Sequence, residues 1–241
     1  MNGKGEHGVA PELGANGVAK PLKKATAECK LIVANKDPIT GLGEGWWLSP
    51  KTVKDNPGLK TALDVINRPD LFPHPEDKSK GAFIGCPAGW ACQLANANLF
   101  RAFEMEKKGW VLVDPGTGAG LDGSMSKAVD RGQNWFGYYW SPTSMIGKYK
   151  MHKLDFGVPF AGSKNWDGCI VKAEKDCVNP KPSAWTKSEV NTVVTANFKK
   201  NASVALDFVS KRVYPGDINV SYTHMTLATN YHGKTSVAAG T

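Results

Sequence analysis

The hydrophobic pattern predicts alternating strands and helices through the middle of the chain. Short apolar runs at Gly81–Gly85, Trp110–Val113 and Trp135–Trp140 are typical of buried β-strands. Between them, Ala91–Phe103 has apolar residues three and four positions apart, and Gly118–Arg131 forms a second helical segment opened by glycine. The order strand, helix, strand, helix, strand predicts a parallel α/β unit with right-handed crossovers.

The two ends of the chain are less regular. Residues 1–30 are rich in Gly, Ala and Lys and have no sustained period, so we expect them to be poorly ordered. A strand is predicted at Leu31–Ala34. Near the other end, Thr186-Lys-Ser-Glu189 has the spacing of a capping box, which predicts a helix over Val190–Phe198. A second helix is expected over Val204–Val209.

The composition is that of a folded chain. Its 241 residues are 41% hydrophobic, which is enough for a sizeable core and excludes a wholly disordered chain, a collagen and a coiled coil. No apolar segment of a secretory signal peptide follows Met1. The longest uncharged run, Gly81–Phe100, contains Gly, Pro, Gln and Asn, so we do not expect it to span a membrane.

The net charge favours acidic partners without identifying one. Thirty basic and 22 acidic residues give a net charge of +8. The basic residues are scattered in short pairs such as Lys23-Lys24 and Lys107-Lys108. Because pairs of this kind usually complement helix ends, we expect no nucleic-acid partner.

Four of the five cysteines form two close pairs. Five residues separate Cys86 from Cys92, and seven separate Cys169 from Cys177. Both spacings allow disulfides, which would indicate an oxidising, extracytoplasmic compartment, and Cys29 would be left over. Zinc is a poorer interpretation, because structural zinc sites use shorter hooks and no histidine lies at ligand spacing from a cysteine. Buried reduced thiols remain the alternative.

Aromatic residues concentrate in uncharged loops and at predicted strand ends. Trp46-Trp47, Trp90 and Tyr138-Tyr139-Trp140 make up this set, and two of the three groups follow different strands. Open α/β sheets bind ligands at such ends. Converging rings would form a box for a quaternary ammonium group, whose positive charge is attracted to electron-rich ring faces. The alternative is that these rings only pack in the core.

A glycine motif offers a rival interpretation. Gly118-Ala-Gly120-Leu-Asp-Gly123 matches the dinucleotide-binding pattern, but the strand ending near Trp140 supplies no acidic residue for a ribose. A milder interpretation is a helix N-terminus that faces an anion such as a carboxylate. No catalytic set or metal-ligand set is recognisable, so we expect neither an enzyme nor a cofactor nor a metal site.

Several motifs together resemble the substrate-binding proteins of glycine betaine/proline-type ABC importers. The resemblance extends over about residues 30–217 and rests on four segments: Glu44-Gly-Trp-Trp-Leu-Ser-Pro50, Gly85-Cys-Pro-Ala-Gly-Trp-Ala-Cys92 with Asn96-Ala-Asn-Leu99, Pro115-Gly-Thr-Gly-Ala-Gly120 and Tyr138-Tyr-Trp-Ser-Pro-Thr143. It implies an α/β fold of the type II periplasmic-binding-protein kind, with two lobes and a ligand cleft. It also implies an extracytoplasmic protein that binds a methylated ammonium compound and delivers it to a membrane permease.

Carried over residue by residue, the resemblance makes Trp47, Trp90 and Trp140 the cage candidates, with Trp46 and Tyr139 next to them. Three other tryptophans, Trp110, Trp135 and Trp185, are assigned to packing. Trp166 is left unassigned.

The resemblance also implies a division of the chain. We expect residues 31–45 and 150–217 in the first lobe, 46–149 in the second lobe and 218–241 as an irregular tail. Residues 1–30 and 218–241 do not resemble the family, so an incomplete first lobe is expected. The alternative function is a carbohydrate-binding module, in which the same tryptophans would form an open, flat platform.

Overall fold

A computed structural model describes residues 8–14, 19–37, 43–141, 143–187 and 189–211. The chain divides into two compact units, one made of residues 1–43 and 187–241 and the other of residues 44–186. The tail expected at 218–241 lies outside the described residues.

The described residues form strands and helices in alternating groups along the chain. The strands are β1 (Val9–Gly14), β2 (Leu31–Val33), β3 (Gly43–Leu48), β4 (Gly81–Ile84), β5 (Trp110–Val113), β6 (Phe136–Ser141), β7 (His152–Lys153) and β8 (Val190–Thr195). The helices are α1 (Ala19–Ala27), α2 (Pro50–Asp55), α3 (Ala62–Ile66), α4 (Ala91–Ala102), α5 (Gly118–Asp130), α6 (Ser144–Tyr149), α7 (Ser163–Asn165), α8 (Ala196–Asn201) and α9 (Ser203–Ser210). A π-helical turn, Trp166–Ile170, follows α7 directly.

The larger unit is built on a five-stranded sheet in the order β5-β4-β6-β3-β7. Strand β4 is parallel to both β5 and β6, and α4 and α5 lie between these strands in the chain, as predicted. Gly137 in β6 is paired with Ile84, and a Cβ atom at position 137 would lie 2.6 Å from the Ile84 carbonyl oxygen. The close approach of the two strands therefore requires glycine there.

The core of this unit contains a group of aromatic rings around Trp46, which we call the core cluster. The ring centroids of Phe83, Phe103, Phe136 and Phe156 lie 4.8–5.7 Å from that of Trp46. All five side chains are at most 5% exposed. Burial of this much apolar area is a major source of the unit's stability.

Residues 150–186, which we expected in the first lobe, belong to the same unit as residues 44–149. Side chains of α4 hold this segment in place. The Asn98 side-chain amide donates hydrogen bonds to the carbonyl oxygens of Ile170 (2.9 Å) and Lys172 (2.8 Å), and Arg101 donates to that of Cys177 (3.0 Å). These partners lie more than 70 residues away in sequence, so no local pattern indicated them.

The smaller unit contains a three-stranded antiparallel sheet in the order β1-β8-β2. The helix predicted over Val190–Phe198 is wrong, because residues 190–195 form the central strand β8. Its β-branched side chains favour an extended backbone, and Val193 and Val194 are fully buried. The helix begins later, at Ala196, where the Thr195 hydroxyl accepts a hydrogen bond from the Phe198 amide.

Within the N-terminal segment that we expected to be poorly ordered, residues 9–14 form β1 and residues 19–27 form α1. Strand β1 pairs with β8, so its stability comes from a partner about 180 residues away rather than from local sequence. Helix α1 contains Pro21 in its first turn, a position where proline costs no helical hydrogen bond. The strand expected at Leu31–Ala34 and the second helix expected over Val204–Val209 are present as β2 and α9.

Candidate functional site

Both expected disulfides are formed, and both lie beside tryptophans. The Cys86–Cys92 bond closes a loop that contains Trp90, while the Cys169–Cys177 bond begins three residues after Trp166. Cys29 is a free, exposed thiol. The covalent loops restrict the backbone around the two indoles. This restriction lowers the conformational entropy that the loops would lose on binding a ligand.

Trp46 and Trp47, two of the expected cage residues, are buried in this structure. Trp46 is fully buried, and its indole N–H donates a hydrogen bond to the Asn96 side-chain oxygen at 2.9 Å. Trp47 is 4% exposed, and its indole N–H donates to the carbonyl oxygen of Tyr139 at 3.0 Å. Both indole N–H groups are therefore satisfied within the protein.

Trp90 and Trp140 are brought together, although 50 positions separate them in sequence. Their ring centroids are 5.6 Å apart and their planes meet at 67°. Trp90 follows β4 and is the N-cap of α4, whereas Trp140 lies near the carboxyl end of β6. Because β4 and β6 are parallel neighbours, their carboxyl ends meet at one edge of the sheet. Trp90 is 40% exposed.

Tyr139 stacks directly on Trp140. The ring centroids lie 4.5 Å apart with an angle of 11° between the planes. The Tyr139 hydroxyl donates a hydrogen bond to the Asp122 carboxylate on α5. Burial, and then the hydrogen bond to Asp122, raise the pKa of Tyr139 above its usual range.

Three further rings extend this group: Tyr138, which the sequence analysis placed in the aromatic set but not among the cage candidates, and Trp166 and Trp185, which it did not assign to the site. Tyr138 lies 6.3 Å from Trp140 and 5.5 Å from Trp185, and Trp185 lies 5.3 Å from Trp166, all between ring centroids. We use the name ring cluster for the six aromatic side chains Trp90, Tyr138, Tyr139, Trp140, Trp166 and Trp185. One sequence signal could have assigned Trp166 to the site: like Trp90, it lies beside a pair of cysteines that form a disulfide.

A carboxylate joins the ring cluster at Glu44. It accepts hydrogen bonds from the Tyr138 hydroxyl at 2.7 Å and from the Trp185 indole N–H at 3.3 Å. Burial, and then the charge of Glu44, hold the pKa of Tyr138 well above its usual range. Lys153 lies over the Trp47 ring, 5.9 Å from its centroid, and burial lowers its pKa while Glu44 opposes that shift.

The buried end of the ring cluster has one unsatisfied group. The Trp166 indole N–H is the buried side-chain polar atom that lacks a hydrogen-bond partner among the residues described here. Trp166 meets Trp185 edge to face, with 66° between the ring planes. Trp166 itself is 3% exposed, so this N–H faces protein rather than solvent.

The glycine motif serves close packing beside Trp90. A Cβ atom at Gly118 would lie 3.2 Å from the Trp90 ring, and one at Gly120 would lie 2.1 Å from the Pro115 carbonyl oxygen. The Thr117 hydroxyl caps α5 by accepting a hydrogen bond from the Gly120 amide. Trp90 therefore lies against the helix N-terminus, at the place where a dinucleotide would need free approach to the backbone.

The geometry does not favour a carbohydrate platform. A platform of that kind presents rings side by side in one plane, whereas the planes of Trp90 and Trp140 meet at 67°. One face of Trp140 is also covered by Tyr139. Rings at a steep angle present faces in different directions, which suits the enclosure of a compact group.

The described residues contain neither a membrane-spanning helix nor a metal-binding cluster. None of the helices in these ranges is long and apolar enough to cross a bilayer. No group of three or more His, Cys, Asp or Glu side chains there is placed to hold a metal ion.

Comparisons with known proteins agree with the fold. A family model described as the substrate binding domain of ABC-type glycine betaine transport system matches residues 7–220. No curated protein sequence matches the chain. Solved structures that share the fold at low identity include three binding proteins. They are a choline-binding protein of an ABC transporter with choline bound (13% identity, TM-score 0.57), the glycine betaine/L-proline-binding protein ProX from Borrelia burgdorferi (14%, 0.56) and lactococcal OpuAC with glycine betaine bound (15%, 0.56).

The alignments cover most of this chain and a smaller part of those proteins. They include 92%, 90% and 98% of this chain, against 66%, 67% and 81% of the respective structures. The chain thus spans about two thirds of the length of the first two. The fold is the α/β fold of type II periplasmic-binding proteins, as predicted. The chain belongs to the OpuAC family of ABC-transporter substrate-binding domains.

Proposed function

We propose that this chain binds a methylated ammonium compound, of the glycine betaine or choline kind, at the ring cluster and delivers it to the permease of an ABC importer. The observation that carries the proposal is the steep contact between Trp90 and Trp140 at the carboxyl ends of β4 and β6. A quaternary ammonium group has no N–H to donate, so ring faces are the protein groups best suited to hold it.

The site residues of this proposal are a revised set. Trp90, Trp140 and Tyr139 are kept from the sequence-based candidates, and Trp185 and Tyr138 join them because their rings are continuous with Trp140. Each well-placed ring contact contributes on the order of 0.5–2 kcal/mol. Trp46 and Trp47 support the site from the core.

Family membership and the disulfides support the remaining parts of the proposal. Family members bind solutes for ABC transporters, which supports a permease as partner and binding rather than catalysis as the activity. Two disulfides are typical of an oxidising compartment, which supports an extracytoplasmic location.

Calorimetric titration of the oxidised chain tests the proposal. The ligands are choline, glycine betaine and trimethylamine oxide, with glucose as the uncharged control. We expect saturable binding of at least one of the three and no binding of glucose. Trp140→Ala and Trp90→Ala should each weaken binding by about tenfold or more, because each removes a ring contact.

Phe208→Ala is the matched control. Phe208 is 69% exposed and lies on α9 in the smaller unit, so its removal deletes an exposed ring outside the ring cluster. Unchanged affinity in this variant is expected. Saturable glucose binding, or full ligand affinity in Trp140→Ala, would contradict the proposal.

A further inference from the structure

We infer that the ring cluster selects a monocation without a carboxylate, such as choline, over a zwitterion such as glycine betaine. This inference rests on the proposed function and specifies the ligand of the same site. Its basis is the pair of carboxylates that border the rings.

The first carboxylate is Glu44. It receives hydrogen bonds from the Tyr138 hydroxyl (2.7 Å) and from the Trp185 indole N–H (3.3 Å). Two neighbouring rings of the cluster therefore hold one anionic group in a fixed position. Its side chain is half-buried, so solvent screens its charge less than that of a surface carboxylate.

The second carboxylate is Asp122, on the other side of β6. It accepts a hydrogen bond from the hydroxyl of Tyr139, whose ring stacks on Trp140. Successive side chains of a strand point to opposite faces, so Tyr138 and Tyr139 each bind a different carboxylate. The Trp140 ring centroid lies 4.5 Å from that of Tyr139 and 6.3 Å from that of Tyr138. One tyrosine ring therefore connects Trp140 to each carboxylate.

Cations do not neutralise these two groups at short range. In the described parts of the chain, the ion pairs within 4.0 Å involve other acidic residues, and none includes Glu44 or Asp122. Lys153 interacts electrostatically with Glu44, but no ion pair within 4.0 Å joins them. Glu44 and Asp122 therefore place two carboxylates beside the rings, of which Lys153 offsets Glu44 in part, despite the net charge of +8 for the whole chain.

These carboxylates act differently on the two kinds of ligand. Choline and glycine betaine share the trimethylammonium group, so their ring contacts are equivalent. The carboxylate of glycine betaine lies only a few bonds from the nitrogen, so repulsion by Glu44 and Asp122 offsets the attraction of the ammonium group. Choline carries a neutral hydroxyl there and retains the full attraction.

The N-terminus of α5 beside Trp90 is the structural feature that would favour a ligand carboxylate instead. Two amides at or just before this helix N-terminus already donate to acceptors of the protein itself. The Asp114 carboxylate accepts from the Gly116 amide at 2.8 Å, and the Thr117 hydroxyl accepts from the Gly120 amide at 3.0 Å. These acceptors, one of them charged, reduce the attraction of this end for a second anion.

The test compares three ligands by calorimetry on the full, oxidised chain. They are choline, glycine betaine and the uncharged analogue of choline in which carbon replaces nitrogen. We expect choline to bind at least about tenfold more tightly than glycine betaine and the uncharged analogue to bind most weakly. Glu44→Gln should weaken choline binding by about tenfold and leave glycine betaine binding unchanged or improved.

Glu104→Gln is the matched control, because Glu104 is an exposed carboxylate paired with Lys107 on the turn after α4. It changes the net charge by the same amount and should leave the ratio of the two affinities unchanged. Glycine betaine binding as tightly as choline, or an unchanged ratio in folded Glu44→Gln, would overturn the inference. If Glu44→Gln does not fold, the ratio in the unmodified chain decides.

The failure of the proposed function gives a different result. In that case neither choline nor glycine betaine binds the folded chain, whereas failure of this inference alone leaves glycine betaine as a ligand. Both outcomes are read from the same titrations.

Discussion

The core cluster and the ring cluster belong to the same unit and use the same kinds of side chain, but they differ in their polar neighbours. Around Trp46 the contacting rings are phenylalanines, and its indole N–H is satisfied by the neutral amide of Asn96. The ring cluster instead binds the carboxylates of Glu44 and Asp122 through tyrosine and tryptophan donors. Charged groups are retained beside rings only where they have partners or a ligand.

Strand β6 shows how the two environments are separated. Phe136 and Tyr138 lie on one face of the strand, because successive side chains point to opposite sides, and at its carboxyl end the Trp140 ring turns to stack on Tyr139. Phe136 is 1% exposed and contacts Trp46, Tyr138 binds Glu44, and Trp140 contacts the 40% exposed Trp90. The position along the strand, rather than the residue type, therefore decides whether a ring is fully buried or partly exposed.

The largest expected effect comes from breaking the core cluster. Trp46→Ala should lower the free energy of unfolding by about 3–5 kcal/mol, since it opens a cavity and leaves the Asn96 side chain without its donor. Urea denaturation monitored by circular dichroism measures this change. A loss below about 1 kcal/mol would show that the ring is not part of a packed core.

The next largest effect concerns the disulfide around Trp90. Replacing Cys86 and Cys92 together by serine should lower the free energy of unfolding by about 2 kcal/mol through the freed loop, and should weaken ligand binding because Trp90 lies inside that loop. Denaturation and calorimetry check the two parts. Cys29→Ser is the control, since Cys29 is free and exposed and its replacement should change neither quantity.

A smaller stability effect is expected at the exposed end of the ring cluster. Trp90→Ala should lower the free energy of unfolding by less than about 1 kcal/mol, because the ring is 40% exposed, while it weakens ligand binding by about tenfold or more. This combination is the reverse of that expected for Trp46→Ala. A loss of several kcal/mol in Trp90→Ala would remove the distinction between the two clusters.

The smallest effect appears only at high pH. Burial and the neighbouring carboxylates raise the pKa of Tyr138 and Tyr139 above the ordinary value of 10.0, so the folded state holds these protons more tightly than the unfolded state. Their contribution to stability is therefore complete below pH 10 and is lost as the pH rises above it. Melting temperatures measured on both sides of pH 10 check this, with the Tyr138→Phe, Tyr139→Phe double variant expected to show a weaker decline.

The elements in the middle of the chain could be predicted because their signals are local. The strands at Gly81, Trp110 and Phe136 and the helices between them follow from apolar runs and helical spacing. The helix predicted over Val190–Phe198 was wrong for the opposite reason: pairing with β1 and β2 favoured a strand, and those partners lie far away in the chain. The same long-range pairing explains the ordered β1.

The candidate site was predictable only in part. The cysteine spacing and the sequence motifs indicated the disulfides and the family, and Trp90 and Trp140 were named because they follow neighbouring strands. Trp46 and Trp47 were grouped with them, and the structure places both in the core, with their indole N–H groups bonded to Asn96 and to the Tyr139 carbonyl oxygen. Glu44 and Trp185 were missed as a pair, because 141 positions separate them and no pattern links them.

Residue chemistry and short-range spacing therefore determine the family, the α/β class and the supply of aromatic side chains. Only the tertiary structure decides which of those rings are covered by phenylalanines and which meet carboxylates at the carboxyl ends of the strands. The physical reason is that burial and charge environment depend on contacts between distant segments. Spacing along the chain encodes periodicity within an element, but it does not encode which elements meet.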